Sequence, residues 1–164
     1  MRGLPVSVRA AVADDFDAMD ALATAAARAQ CSTAYSPEIL DAWVGTPYPQ
    51  RFVEGESRGS CHYVATQGGE IVAYGGIDVR GARIEGLFVA PDRHGMGLGA
   101  IMLACLLRHA RLIRLPEVTV ESSLNAVDFY VRHGFHEFAR QPIVVREKVT
   151  MEAVMLRARV GGWV

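Results

Sequence analysis

A strand-like run leads directly into three alternating glycines and an apolar helix: Ile84-Glu85-Gly86-Leu87-Phe88-Val89-Ala90-Pro91-Asp92-Arg93-His94-Gly95-Met96-Gly97-Leu98-Gly99. No other stretch of the chain limits the fold as strongly. Pro91-Asp92 stops the strand, and the helix runs from about Gly97 to Arg111. A strand followed by a helical crossover permits a parallel step in a sheet. Glycine lets the backbone take positive φ and approach a ligand closely. The free N–H groups of a helix start form an anion site. Phosphate or pyrophosphate is therefore the expected guest of residues 94–99, with a plain tight turn as the alternative. A dinucleotide fingerprint needs G-x-G-x-x-G at the opening of a βαβ unit, whereas these glycines alternate in mid-chain. A P-loop needs Lys and then Ser or Thr after its last glycine, and here Gly99 is followed by Ala100-Ile101.

The flanking pattern supplies the rest of a mixed sheet. Val6, Val8, Ala10 and Val12 alternate with Ser7, Arg9 and Ala11, which predicts a strand over 6–12. Asp14 is the expected cap of a helix whose apolar stripe is Phe16, Met19, Leu22, Ala23 and Ala26. Ser36-Pro37-Glu38 opens a second helix that Gly45 ends. Residues 46–60 read as a polar connection with one helical turn at most. His62–Thr66 and Glu70–Val79 are strands joined at Gly68-Gly69, a hairpin signal. Another strand covers Ala82–Val89, and Glu117–Glu121 is a short one. Ser122 or Ser123 is the expected cap of a helix that Gly134 closes, and 135–140 and 148–157 are the last strands. The order βααβββαβαββ gives a mixed α/β sheet.

Size and charge narrow the function. At 164 residues, 51% hydrophobic and 21% charged, the chain suits one domain with a substantial core. A formal net charge of −1 with no basic block speaks against nucleic acid or an anionic membrane as partner. Residues 1–10 lack the apolar run of a signal peptide. Cys31, Cys61 and Cys105 are odd in number and form no C-x-x-C pair, so a disulfide framework and a zinc knuckle are both disfavoured and a cytoplasmic protein is expected. His62, His94, His109, His133 and His136 make no ligand pattern, and no metal is expected.

Two linked motifs carry a family resemblance. Leu87-Phe88-Val89-Ala90-Pro91 followed by His94-Gly95-Met96-Gly97-Leu98-Gly99 resembles the Q/R-x-x-G-x-G/A signature of the GCN5-related N-acetyltransferase family. His94 stands where that family has Gln or Arg, with Arg93 one place earlier. Downstream, Asn125-Ala126-Val127-Asp128-Phe129-Tyr130 and Gly134-Phe135 resemble the family's N-x-x-A-x-x-F-Y-x-x-x-G-F element, with Val127 or Asp128 in place of its middle Ala. The resemblance extends over about residues 6–157 of a single acetyltransferase domain, 1–164. It implies an α+β fold: a mostly antiparallel mixed sheet, flanked by helices, with a splayed central strand pair. It also implies an acetyl-CoA-dependent N-acetyltransferase.

What the resemblance implies can be set on residues. Leu87, Phe88 and Val89 would bind the pantetheine arm through backbone groups, with the Val89 N–H near the thioester oxygen. His94, Gly95, Met96, Gly97, Leu98 and Gly99 would cradle pyrophosphate, although Met96 also reads as a packing residue. Asn125 is a further cofactor contact. Tyr130 occupies the position of the general acid, since a phenol can donate a proton to a leaving thiolate. Glu85, two residues before Leu87 and on the same face of an unbulged strand, is the candidate base, with Asp78 and Glu121 behind it. Tyr35, Trp43, Tyr48 and His62 suggest an aromatic acceptor site, with Asp78 nearby. The expected acceptor is a small-molecule primary amine. A protein N-terminal or lysine acetyltransferase and a non-catalytic acyl-CoA-binding module are the alternatives. Trp163, after Gly161-Gly162, leaves two readings open: contact with a second copy in a homodimer, or disorder.

Overall fold

Gly68 and Gly69 take φ of +60° and +80°, and the chain reverses there between Ser60–Gln67 (β2) and Glu70–Asp78 (β3), which pair antiparallel. Successive positive φ values match the right-handed twist of the flanking strands. The computed structural model describes residues 3–147 and 149–161. Val6–Ala10 (β1) pairs with β2, and β3 pairs with Arg83–Val89 (β4), both antiparallel. The crossover helix Leu98–Leu112 (α4) then makes the parallel step to Glu117–Ser122 (β5). His136–Val145 (β6) and Val149–Arg159 (β7) complete a seven-stranded sheet in the order β1-β2-β3-β4-β5-β7-β6. β4 and β5 pair only at Arg83↔Thr119 and Ile84↔Val120, so the expected splay of the central pair is present.

Helices Phe16–Gln30 (α1), Pro37–Val44 (α2) and Gln50–Ser57 (α3) lie on one face, and α4 and Val127–Arg132 (α5) on the other. Phe16, Met19 and Leu22 of α1 pack with Phe52 of α3 and with Val64 and Tyr74 of the sheet. Leu103 and Leu106 of α4 pack with Ile77, Ile84 and Val118 on the opposite face. α2 opens as its sequence dictates: the Ser36 hydroxyl accepts from the Ile39 N–H at 3.3 Å, and Pro37 sits at the first turn. At the end of α5, Gly134 takes φ of +92° and buries Phe135 in the core.

Several local expectations are corrected. Asp15, not Asp14, ties down the entry to α1: its carboxylate accepts from the Val12 N–H at 2.8 Å and from Arg9 at 2.7 and 2.9 Å. Neither Ser122 nor Ser123 caps α5 with its side chain; a short 3₁₀ turn over Leu124–Ala126 leads into it instead. The polar connection contains α3, two turns long, whose Phe52 and Gly55 are buried. β6 runs five residues past its expected end, against the length of β7. Trp163 lies outside the described residues. No helix among the described residues is long and apolar enough to cross a membrane.

Candidate active site

The site is built where β4 leaves β5. The β3–β4 register passes from Gly76↔Gly86 to Ile77↔Ile84, so Glu85 is the extra residue of a β-bulge. The bulge changes the alternation of side chains. Ile84 and Leu87 pack on the α4 side, while Phe88 packs with α1 and Tyr74. Glu85 thus shares a cavity face with Phe88, and the expectation that it shares the face of Leu87 is corrected by one inserted residue. The Ala90 N–H donates to Val72 O at 2.9 Å, so alternate residues of β4 turn their backbone groups toward β3. Leu87 and Val89 turn theirs the other way, into the gap beside β5.

A cavity of about 200 Å³ fills this gap. Its walls include Glu85, Leu87, Phe88, Asn125 and Tyr130, which the sequence placed in one site, together with Cys31 and Trp43. Tyr130 is 5% exposed, with its ring edge-on to Phe129 and Phe135 at 5.1 and 5.3 Å. Its hydroxyl has no hydrogen-bond partner among the described residues, and burial pushes its pKa far above the ordinary phenol value. A phenol in such a place holds its proton at neutral pH. Asn125 lies against the thiol of Cys31, whose pKa burial raises and contacts with Asn125 and Ser123 partly restore.

The glycine loop lies between the end of β4 and the start of α4. Gly95 and Gly97 take φ of +78° and +80°, and a Cβ at either would meet nothing within 4 Å. Glycine is thus required by backbone conformation, and the space above the loop is open for an anion at the start of α4. Gly99 serves a different end: its missing Cβ makes room for the ring of Phe129 at 3.2 Å. Leu98 is buried and His94 exposed. Met96 is 60% exposed, so its reading as a packing residue is corrected; it projects from the loop.

A second cavity of about 350 Å³ lies on the α1–α3 side of β4 and shares Trp43, Glu85, Gly86 and Phe88 with the first. Glu85 stands at the junction. The Ser60 hydroxyl donates to it at 2.7 Å, and Arg83 is 3.9 Å away. His62 also lines this cavity, stacked edge-on against Phe52 at 5.2 Å. Burial lowers its pKa despite the nearby Glu85 and Glu56, and its Nδ1 is buried without a hydrogen-bond partner. Glu121 reaches the same cavity but sits 3.5 Å from Arg83.

Three expected acceptor residues line neither cavity: Tyr35, Asp78 and Tyr48, whose hydroxyl donates to Glu54 at 2.6 Å. The hydroxyl of Tyr35 donates to Glu152 O at 2.6 Å and accepts from the Leu124 N–H at 2.9 Å, bracing buried chain behind Trp43. Asp78 accepts from the Arg80 and Gly81 N–H groups, both at 3.0 Å, and so holds the β3–β4 turn. Sequence reasoning missed Ser60, Arg51, Arg58 and Arg146, all at or beside the second cavity. Arg51 and Arg58 are seven apart, a helical repeat that the reading of 46–60 as a connection concealed. No group of three or more His, Cys, Asp or Glu side chains among the described residues is arranged to hold a metal ion.

Known proteins share this fold. A family model described as acetyltransferase (GNAT) domain matches residues 31–152. A GCN5-related N-acetyltransferase from Rhodopseudomonas palustris superposes with a TM-score of 0.87 at 22% identity, over 97% of this chain and 98% of that one. The PaiA N-acetyltransferase from Thermoplasma acidophilum, solved in complex with coenzyme A, gives 0.78 at 12% identity over 95% and 99%. A ribosomal-protein-alanine N-acetyltransferase from Brucella melitensis gives 0.66 at 19% over 93% and 99%. No curated protein matches the chain.

Proposed function

The chain belongs to the GNAT family of acetyltransferases, and from that premise we propose that it moves the acetyl group of acetyl-CoA onto the primary amine of a small molecule by direct attack. One observation carries the reading: Glu85, Gly86, Phe88 and Trp43 line both the gap beside β5 and the cavity under α1–α3, so the two spaces communicate at a carboxylate. The gap suits the thioester, with Tyr130 in its wall, and the larger cavity suits the acceptor.

In this reading the acetyl-CoA pyrophosphate rests on the N–H groups of residues 94–99, and its pantetheine arm lies along the outward backbone of Leu87 and Val89. The Val89 N–H donates to the thioester oxygen and stabilises charge as it builds there. The acceptor amine enters from the larger cavity. Glu85, held by Ser60, takes a proton from the ammonium form through water. The amine nitrogen then forms its bond to the carbonyl carbon, the carbon–sulfur bond breaks, Tyr130 gives its proton to the departing thiolate, and the nitrogen loses its second proton to water to leave the neutral amide. That second proton, passed through water, restores Tyr130, and Glu85 releases its own to solvent, which completes the cycle.

The test is release of CoA thiol from acetyl-CoA over a panel of small amines, amino acids and peptides with free N-termini or lysines. Turnover with a small amine supports the proposal. Acetylation of peptides alone would replace it with protein acetylation. Tight acetyl-CoA binding with no acceptor at all would leave a non-catalytic acyl-CoA module.

A further inference from the structure

The larger cavity carries a charge pattern that acetyl transfer itself does not call for. Arg51, Arg58, Arg83 and Arg146 all line it. The carboxylates around them are committed. Arg83 has Glu121 at 3.5 Å and Glu85 at 3.9 Å. Arg51 is bound to the buried Asp20 and is further fixed by the Tyr74 hydroxyl at 3.4 Å and the Phe52 ring at 4.5 Å. Glu54 accepts from the Tyr48 hydroxyl at 2.6 Å. Arg58 and Arg146 have no carboxylate within 4.0 Å among the described residues.

Arg146 is the more telling of the two. Its guanidinium lies over the Tyr48 ring at 5.1 Å and, among the described residues, donates only to a neutral acceptor, Thr46 O, at 3.2 Å. Arg146 and Glu147 take φ of +52° and +56° at the tip of the β6–β7 hairpin, the successive positive values also seen at Gly68-Gly69. Here the turn carries a guanidinium back over α3 into a space that already holds Arg51. Burial and the charge of Arg51 both weigh against its protonated form, a repulsion that an incoming anion relieves.

We propose that the acceptor amine also bears an anionic oxygen group, a carboxylate or a phosphate, which docks on Arg146 with Arg51 and Arg58 while its amino group turns toward Glu85. Planar guanidinium donors suit both oxyanions. This inference rests on the small-amine acetyltransferase reading above.

The experiment measures CoA release with matched acceptors: amino acids against their amides, and aminoalkyl phosphates against the corresponding amino alcohols. The anionic member of at least one pair should show kcat/KM about tenfold or more above its neutral partner, and the better pair identifies the oxyanion. Arg146→Asn, which tolerates the left-handed backbone, should shrink that preference to about threefold or less, chiefly through a higher KM for the anionic amine. Arg58→Ala should move it the same way by a smaller factor, and Arg146→Lys should restore part of it. Neutral amines turned over as well as anionic ones would overturn this inference alone, as would a preference that survives Arg146→Asn in a folded protein. Failure of every small amine to release thiol would overturn the function proposal beneath it as well.

Discussion

Replacing Tyr130 by Phe removes one oxygen from a ring that is 5% exposed and wedged edge-on between Phe129 and Phe135. The packing of α5 against the sheet is carried by the ring, and the hydroxyl has no hydrogen-bond partner among the described residues. A buried hydroxyl without a partner costs about 1–3 kcal/mol when fully desolvated. This one adjoins the cavity, so its removal should stabilise by at most about 1 kcal/mol, or about 2–4 °C in Tm for a chain of this size. Acetyl-CoA affinity should hardly change, because in the proposed reading the glycine loop and β4 carry it. Turnover should fall by about 10²–10⁴-fold, the usual worth of general acid assistance. That corresponds to roughly 3–5 kcal/mol in the barrier at about 1.36 kcal/mol per decade. The loss should appear in kcat and in kcat/KM for the amine together, as for an interaction made only in the transition state. Steady-state kinetics, thermal melts and CoA titration on the same preparation separate these terms. A folded Tyr130→Phe protein with wild-type turnover on its best acceptor would falsify the assignment, and a kinetic loss that tracks a fall in Tm would reduce Tyr130 to a packing residue.

Gly97→Val places a branched side chain at φ of +80°, where strain costs about 1–2 kcal/mol but no atom lies within 4 Å of the new Cβ; calorimetry should show CoA affinity falling more than tenfold, and an unchanged affinity would remove the phosphate cradle. Glu85→Gln keeps the bond to Ser60 but not the base, so its kcat/KM should drop mainly at low pH, where the amine arrives protonated, and recover as pH rises. An equal loss at every pH would make Glu85 a positioning residue, and no loss would point to Glu121. Burial holds the pKa of His62 below its ordinary value of about 6.5, so the unfolded chain takes up a proton first and stability present above that pH is lost as pH falls below it. Thermal melts from about pH 7 to 5 should therefore slope less steeply for His62→Gln than for the wild type. Equal slopes would show that His62 does not carry the effect, since Asp15, held low by Arg9, acts only in more acid solution.

The frame of the sheet was legible because turn chemistry and periodicity act locally. Gly68-Gly69, Ser36-Pro37 and Gly134-Phe135 each sit where their backbone preferences placed them. The glycine loop and the Asn125–Tyr130 element were legible as a linked pair, and the fold sets Gly99 against the ring of Phe129 while Asn125 and Tyr130 line the gap. What escaped depended on tertiary contact. α3 has only Phe52 and Gly55 buried, so its short sequence shows no apolar stripe and gains its stability from the sheet beneath. The bulge at Glu85 leaves no mark in the residue pattern, yet it decides which cavity the carboxylate faces. Asp78 and Tyr35 were read by chemical type; the turn amides and the Glu152 carbonyl claim them instead. Arg146 comes from a hairpin almost a hundred residues away from α3 in sequence, beyond any local signal.

The two-pair contact between β4 and β5 has a mechanical consequence. It divides the sheet into two plates, β1–β4 and β5–β7–β6, stitched at Arg83 and Ile84 and clamped by α4. Beyond the stitch the ladder is left unfinished inside the molecule. An unfinished ladder on a surface invites a neighbouring strand, but this one borders the cavity walled by Asn125 and Tyr130, a place suited to a slender chain with amides in line. A pantetheine arm has that shape, and in the proposed reading its arrival would extend the ladder across the seam. Filling the gap should therefore make the plates open together where they had opened apart, and amide hydrogen exchange in β4 and β5 should slow in concert when CoA is added.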